Sequence, residues 1–173
     1  MIILETERLR LRTVNIDDAQ FYLELTNDPG WIKNIGDKGL RTLEAARESL
    51  QNGPMDMQQR LGFSLYVVES KQDSAAMGLC GLIKRDSLED VDMGYAFLPQ
   101  FRGKGYAREA AAAVLKYGKE RFALKKLAAI TSPDNHDSYS LLEELGFQLE
   151  KLVVLKGETR ETKLYAYNFQ QQA

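Results

Sequence analysis

The segment 92–119 limits the possible folds more than any other part of the chain. Met93, Tyr95 and Phe97 alternate with other residues in a run that predicts a β-strand. Pro99 has no N–H group to give to a ladder, so the strand is expected to end there. After a short turn, apolar residues recur at helical spacing opposite a charged face, which predicts an amphipathic helix. A strand, a turn and a helix that packs on the sheet therefore follow one another directly.

The turn between these two elements combines glycine with positive charge, in the order Arg102-Gly103-Lys104-Gly105. Glycine lets a backbone approach a ligand closely, and the first N–H groups of the following helix have no partner within it. Together these features predict a phosphate site, with an ordinary tight turn as the alternative. A Walker loop needs Ser or Thr after Lys104, and the dinucleotide fingerprint needs glycine in place of Arg108, so ATP, GTP and NAD are not expected.

Length and composition indicate one domain over residues 1–173. A chain of 173 residues with 44% hydrophobic residues can bury a full core. The net charge of −2 argues against a general nucleic-acid binder. The segment 100–126 is nevertheless strongly basic, whereas the segment 86–92 is acidic. The basic segment suits an anionic cofactor and the acidic one a cationic substrate, unless both are ordinary solvated surface.

Cysteine, histidine and the N-terminus exclude several classes of protein. Cys80 is the sole cysteine, which rules out an intrachain disulfide, and its apolar neighbours predict a small buried side chain. The N-terminal stretch 1–5 is too short and too acidic for a signal peptide. A membrane span needs about 20 apolar residues, and no apolar run approaches that length. A cytoplasmic protein without membrane partners is therefore expected. His136, the one histidine, has no metal-ligand spacing around it, so it is interpreted as a surface or capping residue and no metal is expected.

The rest of the chain alternates between strand and helix patterns. Strands are predicted at 8–14, 62–69, 77–85, 92–98, 126–131, 147–155 and 162–169. Helices are predicted at 15–26, 42–50, 107–122 and 135–146, with Trp31 in the loop between the first two. These elements predict a mixed α/β (α+β) domain around one mostly antiparallel sheet.

The turn also matches a more specific pattern, Arg102-x-x-Gly105-x-Ala107 after a strand that ends at Pro99. This pattern resembles the acyl-CoA loop of the GNAT acyltransferase superfamily, which reads Arg or Gln, two residues, Gly, one residue, and Gly or Ala. The segment 6–12, Thr-Glu-Arg-Leu-Arg-Leu-Arg, resembles the opening strand of the branch that contains the ribosomal-protein N-terminal acetyltransferases.

The resemblance extends into the C-terminal half through Asn135-x-x-Ser138, followed by Leu145-Gly146-Phe147. These residues are similar to the second CoA-contacting helix of the superfamily and the strand after it. With the other matching segments they span nearly the whole chain in the right order. The implied architecture is the GNAT fold, a mixed and mostly antiparallel central sheet of about six to seven strands flanked by about four helices.

The resemblance implies direct transfer of an acetyl group from acetyl-CoA to a primary amine, without a covalent enzyme intermediate. A protein N-terminal amine is the acceptor implied by the ribosomal branch. A polyamine, an aminoglycoside or an amino acid is the alternative, because the acceptor walls come from loops. A non-catalytic acyl-CoA sensor is the alternative outside enzymes. The protein is expected to be a monomer or a homodimer.

The resemblance also implies where acetyl-CoA binds. The loop amides would hold the pyrophosphate at the helix N-terminus. The strand would diverge from its neighbour near Phe97 and pair with the pantetheine arm, which Asn135 would position, and a backbone N–H there would stabilise the oxyanion. The expected cofactor contacts are Phe97, Leu98, Arg102, Gly103, Lys104, Gly105, Tyr106, Ala107, Asn135 and Ser138.

The acceptor amine must be neutral to attack, which requires a general base within reach. Asp92 is the first candidate, because relatives often carry an acidic residue at this strand position. Glu24 and Glu69 are further possibilities. The alternative for Asp92 is an ordinary surface acid.

The leaving thiolate needs a proton or a hydrogen bond. Where the superfamily commonly has a Tyr acid on its helix, this chain has Leu142, so the resemblance makes Ser138 the donor, with Tyr139 as a neighbour of unknown direction. Helix capping is the alternative role of Asn135 and Ser138. Trp31 is interpreted as a platform for the acceptor or as a packing anchor.

Overall fold

The computed structural model describes residues 1–171, which form one eight-stranded sheet. The strands are β1 (Ile2–Glu5), β2 (Leu9–Thr13), β3 (Leu65–Ser70), β4 (Ala76–Ile83), β5 (Asp92–Phe97), β6 (Lys126–Thr131), β7 (Gln148–Val153) and β8 (Thr162–Asn168). They lie in the order β1-β2-β3-β4-β5-β6-β8-β7. Every neighbouring pair is antiparallel except β5 and β6, which are parallel.

The α-helices of the described residues are α1 (Ala19–Thr26), α2 (Pro29–Asn34), α3 (Leu43–Leu50), α4 (Asp56–Leu61), α5 (Tyr106–Phe122) and α6 (His136–Leu145). Capping residues set several of their ends. Thr42 accepts a hydrogen bond from the N–H of Ala45 at the start of α3, and Gly146 ends α6 with φ of 104°. In residues 1–171, no helix is both long and apolar enough to cross a bilayer.

Strand β5 separates two apolar layers, because successive side chains of a strand point to opposite faces. Met93 and Phe97 belong to the cluster that contains Ala110 and Val114 of α5. Ala96 packs instead on the cluster around α1, α2 and α3. The two sides of the sheet at this strand are called the α5–α6 face and the α1–α3 face below.

Strands β5 and β6 separate immediately after their first contact. Asp92 is paired with Ala128, and this is the one register pair between the two strands in residues 1–171. The N–H of Ala128 donates to the carbonyl of Val91 at 2.9 Å. Beyond this point the two strands diverge and leave a gap in the sheet.

Backbone groups of β5 are left without ladder partners along this gap. The N–H of Leu98 donates to the carbonyl of Met77 at 2.9 Å, so the groups of this residue point toward β4. Because backbone groups alternate between the two edges of a strand, those of Tyr95 and Phe97 point toward the gap. The divergence implied by the sequence resemblance is therefore present.

The expected mixed α/β architecture with a mostly antiparallel sheet is confirmed, but there are more elements than expected. The additional strand β1 is too short to show a periodic pattern in the sequence. The additional helices are α2 and α4. The sequence before Trp31 looks like a turn, yet Asp28 caps α2 and Pro29 occupies its first position, where a missing N–H costs nothing. The prediction that Trp31 lies in a loop is therefore wrong.

Candidate active site

A cavity of about 670 Å³ occupies the gap between β5 and β6. Its walls come from both strands, the turn before α5, the first turns of α5 and α6, α2, and the loop between β7 and β8. Most candidate residues from the sequence line it, namely Trp31, Asp92, Phe97, Arg102, Gly103, Gly105, Tyr106, Ala107, Asn135 and Ser138. Leu98 and Lys104 are absent from its described walls.

The glycine turn has the backbone that an anion site needs. Gly103 and Gly105 have φ of 74° and 83°, the left-handed region that favours glycine. The N–H of Glu109 donates to the carbonyl of Gly105 and begins the helical pattern of the 17-residue α5. The preceding N–H groups, including those of Tyr106 and Ala107, have no acceptor within the helix and carry its positive end. A phosphate group is the natural occupant of such a turn.

A clamp behind the turn holds it in place. Arg8 donates from Nε to a carboxylate oxygen of Glu109 at 2.8 Å and from a terminal nitrogen to the carbonyl of Lys104 at 3.0 Å. The hydroxyl of Thr6 and the N–H of Arg8 donate to the other oxygen of Glu109. Burial alone would raise the pKa of Glu109, but these hydrogen bonds bring it below its usual value. Thr6 and Arg8 entered the sequence analysis only as part of a resemblance, and the structure gives them a physical role.

Arg102 is engaged on the inner side of the same turn. Its Nε donates to the carbonyl of Phe97 at 3.0 Å, and a terminal nitrogen forms an ion pair with the buried carboxylate of Asp28. The guanidinium therefore connects the end of β5 to the start of α2. Leu98, which follows Phe97, has its N–H in the ladder with β4 and its side chain is buried, so it offers the gap no donor.

The far wall of the gap contains a residue that the sequence analysis missed. Thr131 ends β6, is 5% exposed, and its Oγ1 has no hydrogen-bond partner among the described residues. It shares a face with Leu127 and Ala129, which pack on the α5–α6 side. A buried polar atom without a partner is costly unless a ligand or water satisfies it. The one sequence signal is that Thr131 is the polar residue after the apolar run 127–130.

A second missed residue, Tyr95, contacts the expected proton donor. Its hydroxyl lies 3.0 Å from Oγ of Ser138 and 3.1 Å from the carbonyl oxygen of the same residue. Burial raises the pKa of Tyr95 to about 12, so the phenol keeps its proton near neutral pH. The sequence had identified Tyr95 only as a member of the alternating pattern of a predicted strand.

The other residues of α6 have structural surroundings. Asn135 caps the helix, because its Oδ1 accepts from the N–H of Ser138 at 3.4 Å. Tyr139 lies under Nζ of Lys163, 3.7 Å from the ring centre, and beside the exposed His136. Leu142 is fully buried in the core. Asn135 and Ser138 line the cavity, as do Asp137, Leu141 and Leu142 of the same helix.

Asp92 is buried and ion-paired at the closed end of the gap. Arg85 donates to its two carboxylate oxygens at 3.2 and 3.0 Å. Burial raises the pKa of Asp92, and the charge of Arg85 opposes this only in part. Its neighbour Asp90 pairs with Lys126 at 3.7 Å. Two acids of the acidic segment, Asp90 and Asp92, are therefore each neutralised by a basic partner.

Three other acids bear on the choice of a base. Glu24 is exposed on α1 and Glu69 forms an ion pair with Arg12 at 2.7 Å, and neither belongs to the described walls of the cavity. Glu158, in the loop between β7 and β8, does line the cavity and was missed by the sequence analysis.

Trp31 is a packing anchor that also borders the cavity, and its role as a platform for the acceptor stays a prediction. It is 6% exposed and packs in the cluster of the α1–α3 face, so it is a packing anchor. It also forms part of the cavity wall.

Comparison with known proteins identifies the family. The profile described as "Acetyltransferase (GNAT) domain" matches residues 8–148. The chain belongs to the GNAT acetyltransferase family. The uncharacterized protein YkkB of Bacillus subtilis (strain 168) is 31% identical over 153 residues, which cover 87% of each chain. This protein is accordingly an acyltransferase.

Solved structures of GNAT proteins agree in fold. An acetyltransferase of Bacillus anthracis is 27% identical, with a TM-score of 0.79, and the match covers 97% of this chain and 98% of the other. RimL, a ribosomal L7/L12 α-N-protein acetyltransferase in complex with coenzyme A, has a TM-score of 0.82 at 18% identity over 97% of this chain and 98% of its own. At that identity RimL shows a shared fold.

The residues around the gap fit a coenzyme A molecule. The turn before α5 offers unpartnered N–H groups suited to a pyrophosphate, and the free edge of β5 offers backbone groups suited to the amides of a pantetheine arm. The hydroxyl of Thr131 supplies a further polar atom that has no partner within residues 1–171. These features lie on or near the α5–α6 face.

We expect Gly105→Val to weaken coenzyme A binding by about tenfold or more, which corresponds to about 1.4 kcal/mol. The backbone of Gly105 has φ of 83°, and a Cβ there would lie 3.3 Å from a terminal nitrogen of Arg8, so the turn must change shape. Isothermal titration calorimetry gives the Kd. Gly39→Val is the matched control, because Gly39 has φ of 71° with nothing within 4 Å of its added Cβ. Equal affinities of the two variants would contradict the placement of the phosphate.

Proposed function

We propose that this protein transfers the acetyl group of acetyl-CoA to a primary amine at the end of an acceptor that carries a single positive charge, such as a polypeptide N-terminus. Acetyl-CoA would supply the acetyl group and a thiolate leaving group. The observation that carries the proposal is the gap between β5 and β6, which joins a cofactor half on the α5–α6 face to an acceptor half on the α1–α3 face.

The two halves meet through the gap because β5 contributes to both. Tyr95 and Phe97 belong to the α5–α6 face, where Ser138 also lies. Asp92 and Ala96 belong to the other face, because residues of a strand alternate. A thioester held along the free edge of β5 would therefore present its carbonyl to an amine that approaches from the α1–α3 face.

The acceptor half is mainly apolar. Its lining comes from side chains of α1, α2, β3 and β4, namely Leu25, Trp31, Leu65, Leu79 and Ile83. Such walls favour an acceptor whose amine is carried next to an apolar group.

The charges around the cavity argue against a polycation. Among residues 1–171, three acids and four arginines line it, namely Asp92, Asp137, Glu158, Arg85, Arg102, Arg108 and Arg160. The acid deepest in the acceptor half, Asp92, is neutralised by Arg85. Polyamines and aminoglycosides carry several positive charges and are attracted by an excess of carboxylates, which this wall lacks.

The loop between β7 and β8 is joined to α2 across the acceptor half, and we call this connection the roof. It favours an amine at the end of a chain. Arg160, in the loop between β7 and β8, donates to the carbonyls of Lys33 and Asn34 at 3.1 Å each. It thereby joins the C-terminal end of α2 to that loop. A terminal amine can enter beneath such a roof end-on. RimL, which shares the fold, acts on a protein α-amine, which agrees with this choice.

Asp92 is the proposed acceptor of the amine proton. Its raised pKa brings the carboxylate closer to the range where a base works near neutral pH. Because Arg85 covers the carboxylate, the proton reaches Asp92 through water or after Arg85 moves. Asp137 and Glu158 are the other carboxylates on the wall, and the pH profiles of the Asp92 and Glu158 variants separate these two candidates for the base.

Tyr95 and Ser138 are proposed to protonate the leaving sulfur together. Each hydroxyl has one proton, and that of Tyr95 can go either to the carbonyl oxygen or to Oγ of Ser138. When it goes to Oγ, the proton of Ser138 is free to point into the cavity, and we propose that this is the arrangement that acts on the leaving sulfur. Serine is a weak acid, and the hydrogen bond from a phenol makes its hydroxyl a better donor. This pair would replace the tyrosine that Leu142 displaces.

The proposed function is tested with a panel of amines and acetyl-CoA, with release of coenzyme A as the assay and mass spectrometry of the products. Peptides that begin with Ala, Ser or Met are expected to be acetylated with saturation, and free amino acids more weakly. Spermidine and kanamycin are expected to give at least about tenfold lower kcat/KM, because the wall lacks excess negative charge. Preference for spermidine or kanamycin would contradict the acceptor class. Tight acetyl-CoA binding without turnover on any amine would favour a sensor.

Asp92→Asn is expected to lower kcat by about 100-fold, within the usual contribution of a general base. In the wild type, kcat/KM should fall as the pH drops through the pKa of Asp92, because only the ionised carboxylate accepts a proton. Since burial raises this pKa, the acidic limb of the pH profile should lie above the usual pKa range of an aspartate. The variant should lose the limb while its acetyl-CoA affinity stays the same. Asp90→Asn is the control, because Asp90 pairs with Lys126 and is not among the described residues that line the cavity. If Glu158→Gln removes the limb instead, Glu158 is the base.

Tyr95→Phe and Ser138→Ala are each expected to lower kcat by about tenfold or more, because they interrupt the same proton path. The double variant should be no slower than the slower single variant, since the two hydroxyls act as one unit. Tyr165→Phe is the matched control, because this buried hydroxyl donates to Glu143 outside the described walls of the cavity. Additive losses in the double variant, or unchanged kcat in both singles, would contradict the pairing.

A further inference from the structure

Arg102 has an unexpected arrangement for a cation in a cofactor turn. Its Nε donates to the carbonyl of Phe97 at 3.0 Å, on the β5 edge that faces the gap. Its terminal nitrogen binds the carboxylate of Asp28, whose side chain is 6% exposed. One guanidinium thus contacts the cofactor half at one end and α2 at the other.

The contact with Asp28 bears directly on the acceptor wall. Asp28 is the N-cap of α2, and the same oxygen that binds Arg102 also accepts from the N–H of Trp31 at 3.3 Å. Gly30, Trp31 and Asn34 of this helix and Ile35, its C-cap, all line the cavity. The position of Arg102 therefore sets the position of the helix that carries Trp31.

The glycine after Pro29 provides independent support. A Cβ on Gly30 would lie 2.9 Å from the Oδ2 of Asp28 and 3.0 Å from each terminal nitrogen of Arg102. The guanidinium is therefore packed directly over the backbone of α2, and only glycine leaves room for it.

The helix is held at both ends by arginines from other elements. Arg102 holds its first turn and Arg160 bonds to the carbonyls at its last turn. A short helix of six residues has little stability of its own, so these contacts fix it. Between them they determine how far Trp31 lies from the free edge of β5.

We propose that Arg102 is a positioning residue for the acceptor, which couples the cofactor turn to the acceptor wall through Asp28 and α2. Its guanidinium serves the amine substrate, and the phosphate groups of the cofactor are held by the backbone of residues 103–107.

The test uses Arg102→Lys, Asp28→Asn and the double variant, with three measurements. Trp31 is the sole tryptophan of the chain, so its emission reports on α2 without any acceptor. The Kd for acetyl-CoA is measured by calorimetry, and KM is measured for the fastest amine of the panel described above. Lysine keeps the charge of Arg102 but cannot reach Phe97 and Asp28 with a planar fork.

Both single variants should shift the emission of Trp31 to the red and raise the amine KM by about tenfold, with the Kd for acetyl-CoA changed by less than about threefold. The double variant should match the singles, because the two residues make one contact. Gly30→Ala, which keeps both charges, should also shift the emission of Trp31 to the red and raise the amine KM. It provides the test if the other variants do not fold. Arg41→Lys is the control, because Arg41 pairs with Asp37 at 2.7 Å on the exposed surface.

A rise of about tenfold in the Kd for acetyl-CoA, with unchanged Trp31 emission and amine KM, would overturn the proposal and make Arg102 a phosphate ligand. Unchanged values of all three quantities would overturn it as well. The KM measurement rests on the proposed function, whereas emission and cofactor affinity do not. Loss of turnover on every amine in the wild type would therefore contradict the proposed function and leave the position of α2 to be judged by fluorescence.

Discussion

The site depends on the loss of backbone pairing between β5 and β6 beyond Asp92 and Ala128. In a continuous sheet the groups of Tyr95 and Phe97 would be used by the neighbouring strand, and no cavity would exist between the two faces. A strand with an unpaired edge inside a protein is unfavourable unless a ligand or water takes the missing partners. The same divergence that costs stability therefore creates the place where an extended amide-containing arm can bind.

Contacts around the gap hold it open. The turn before α5 is clamped from behind by Arg8, Thr6 and Glu109, and Arg102 connects the end of β5 to Asp28 at the start of α2. At the closed end, Asp92 is buried with Arg85. A buried ion pair of this kind contributes little net stability, but removal of one partner leaves an uncompensated charge. We infer that the pair of Asp92 and Arg85 matters here for the reaction and for the position of the carboxylate.

The two faces of β5 have different roles in the proposed reaction. The α5–α6 face contains hydroxyl groups that can hold or deliver a proton, at Tyr95, Ser138 and Thr131. The α1–α3 face contains apolar walls and Trp31. A strand that alternates its side chains between two layers can serve both substrates over a few residues, and this explains why the short segment around Asp92 and Phe97 contains so much of the site.

The sequence by itself determined the strand, the glycine turn and α5, because periodicity, Pro99 and the two glycines are local signals. It also predicted that Asn135 and Ser138 lie at the start of α6, since capping depends on neighbours along the chain. The resemblance of the turn to an acyl-CoA loop likewise depends on the spacing of residues within a run of six. Each of these conclusions depends on residues close together in the sequence.

Tertiary structure decided which distant residues meet. Nothing in the local pattern pairs Arg102 with Asp28, Tyr95 with Ser138, or Arg8 with Glu109, because these contacts connect elements many residues apart. The helix α2 was likewise not predicted from the sequence, because its Asp-Pro-Gly start is typical of a turn. In the structure, Arg102 and Arg160 fix its two ends. Short helices and ion pairs of this kind are selected by packing, since local propensity alone is too weak to specify them.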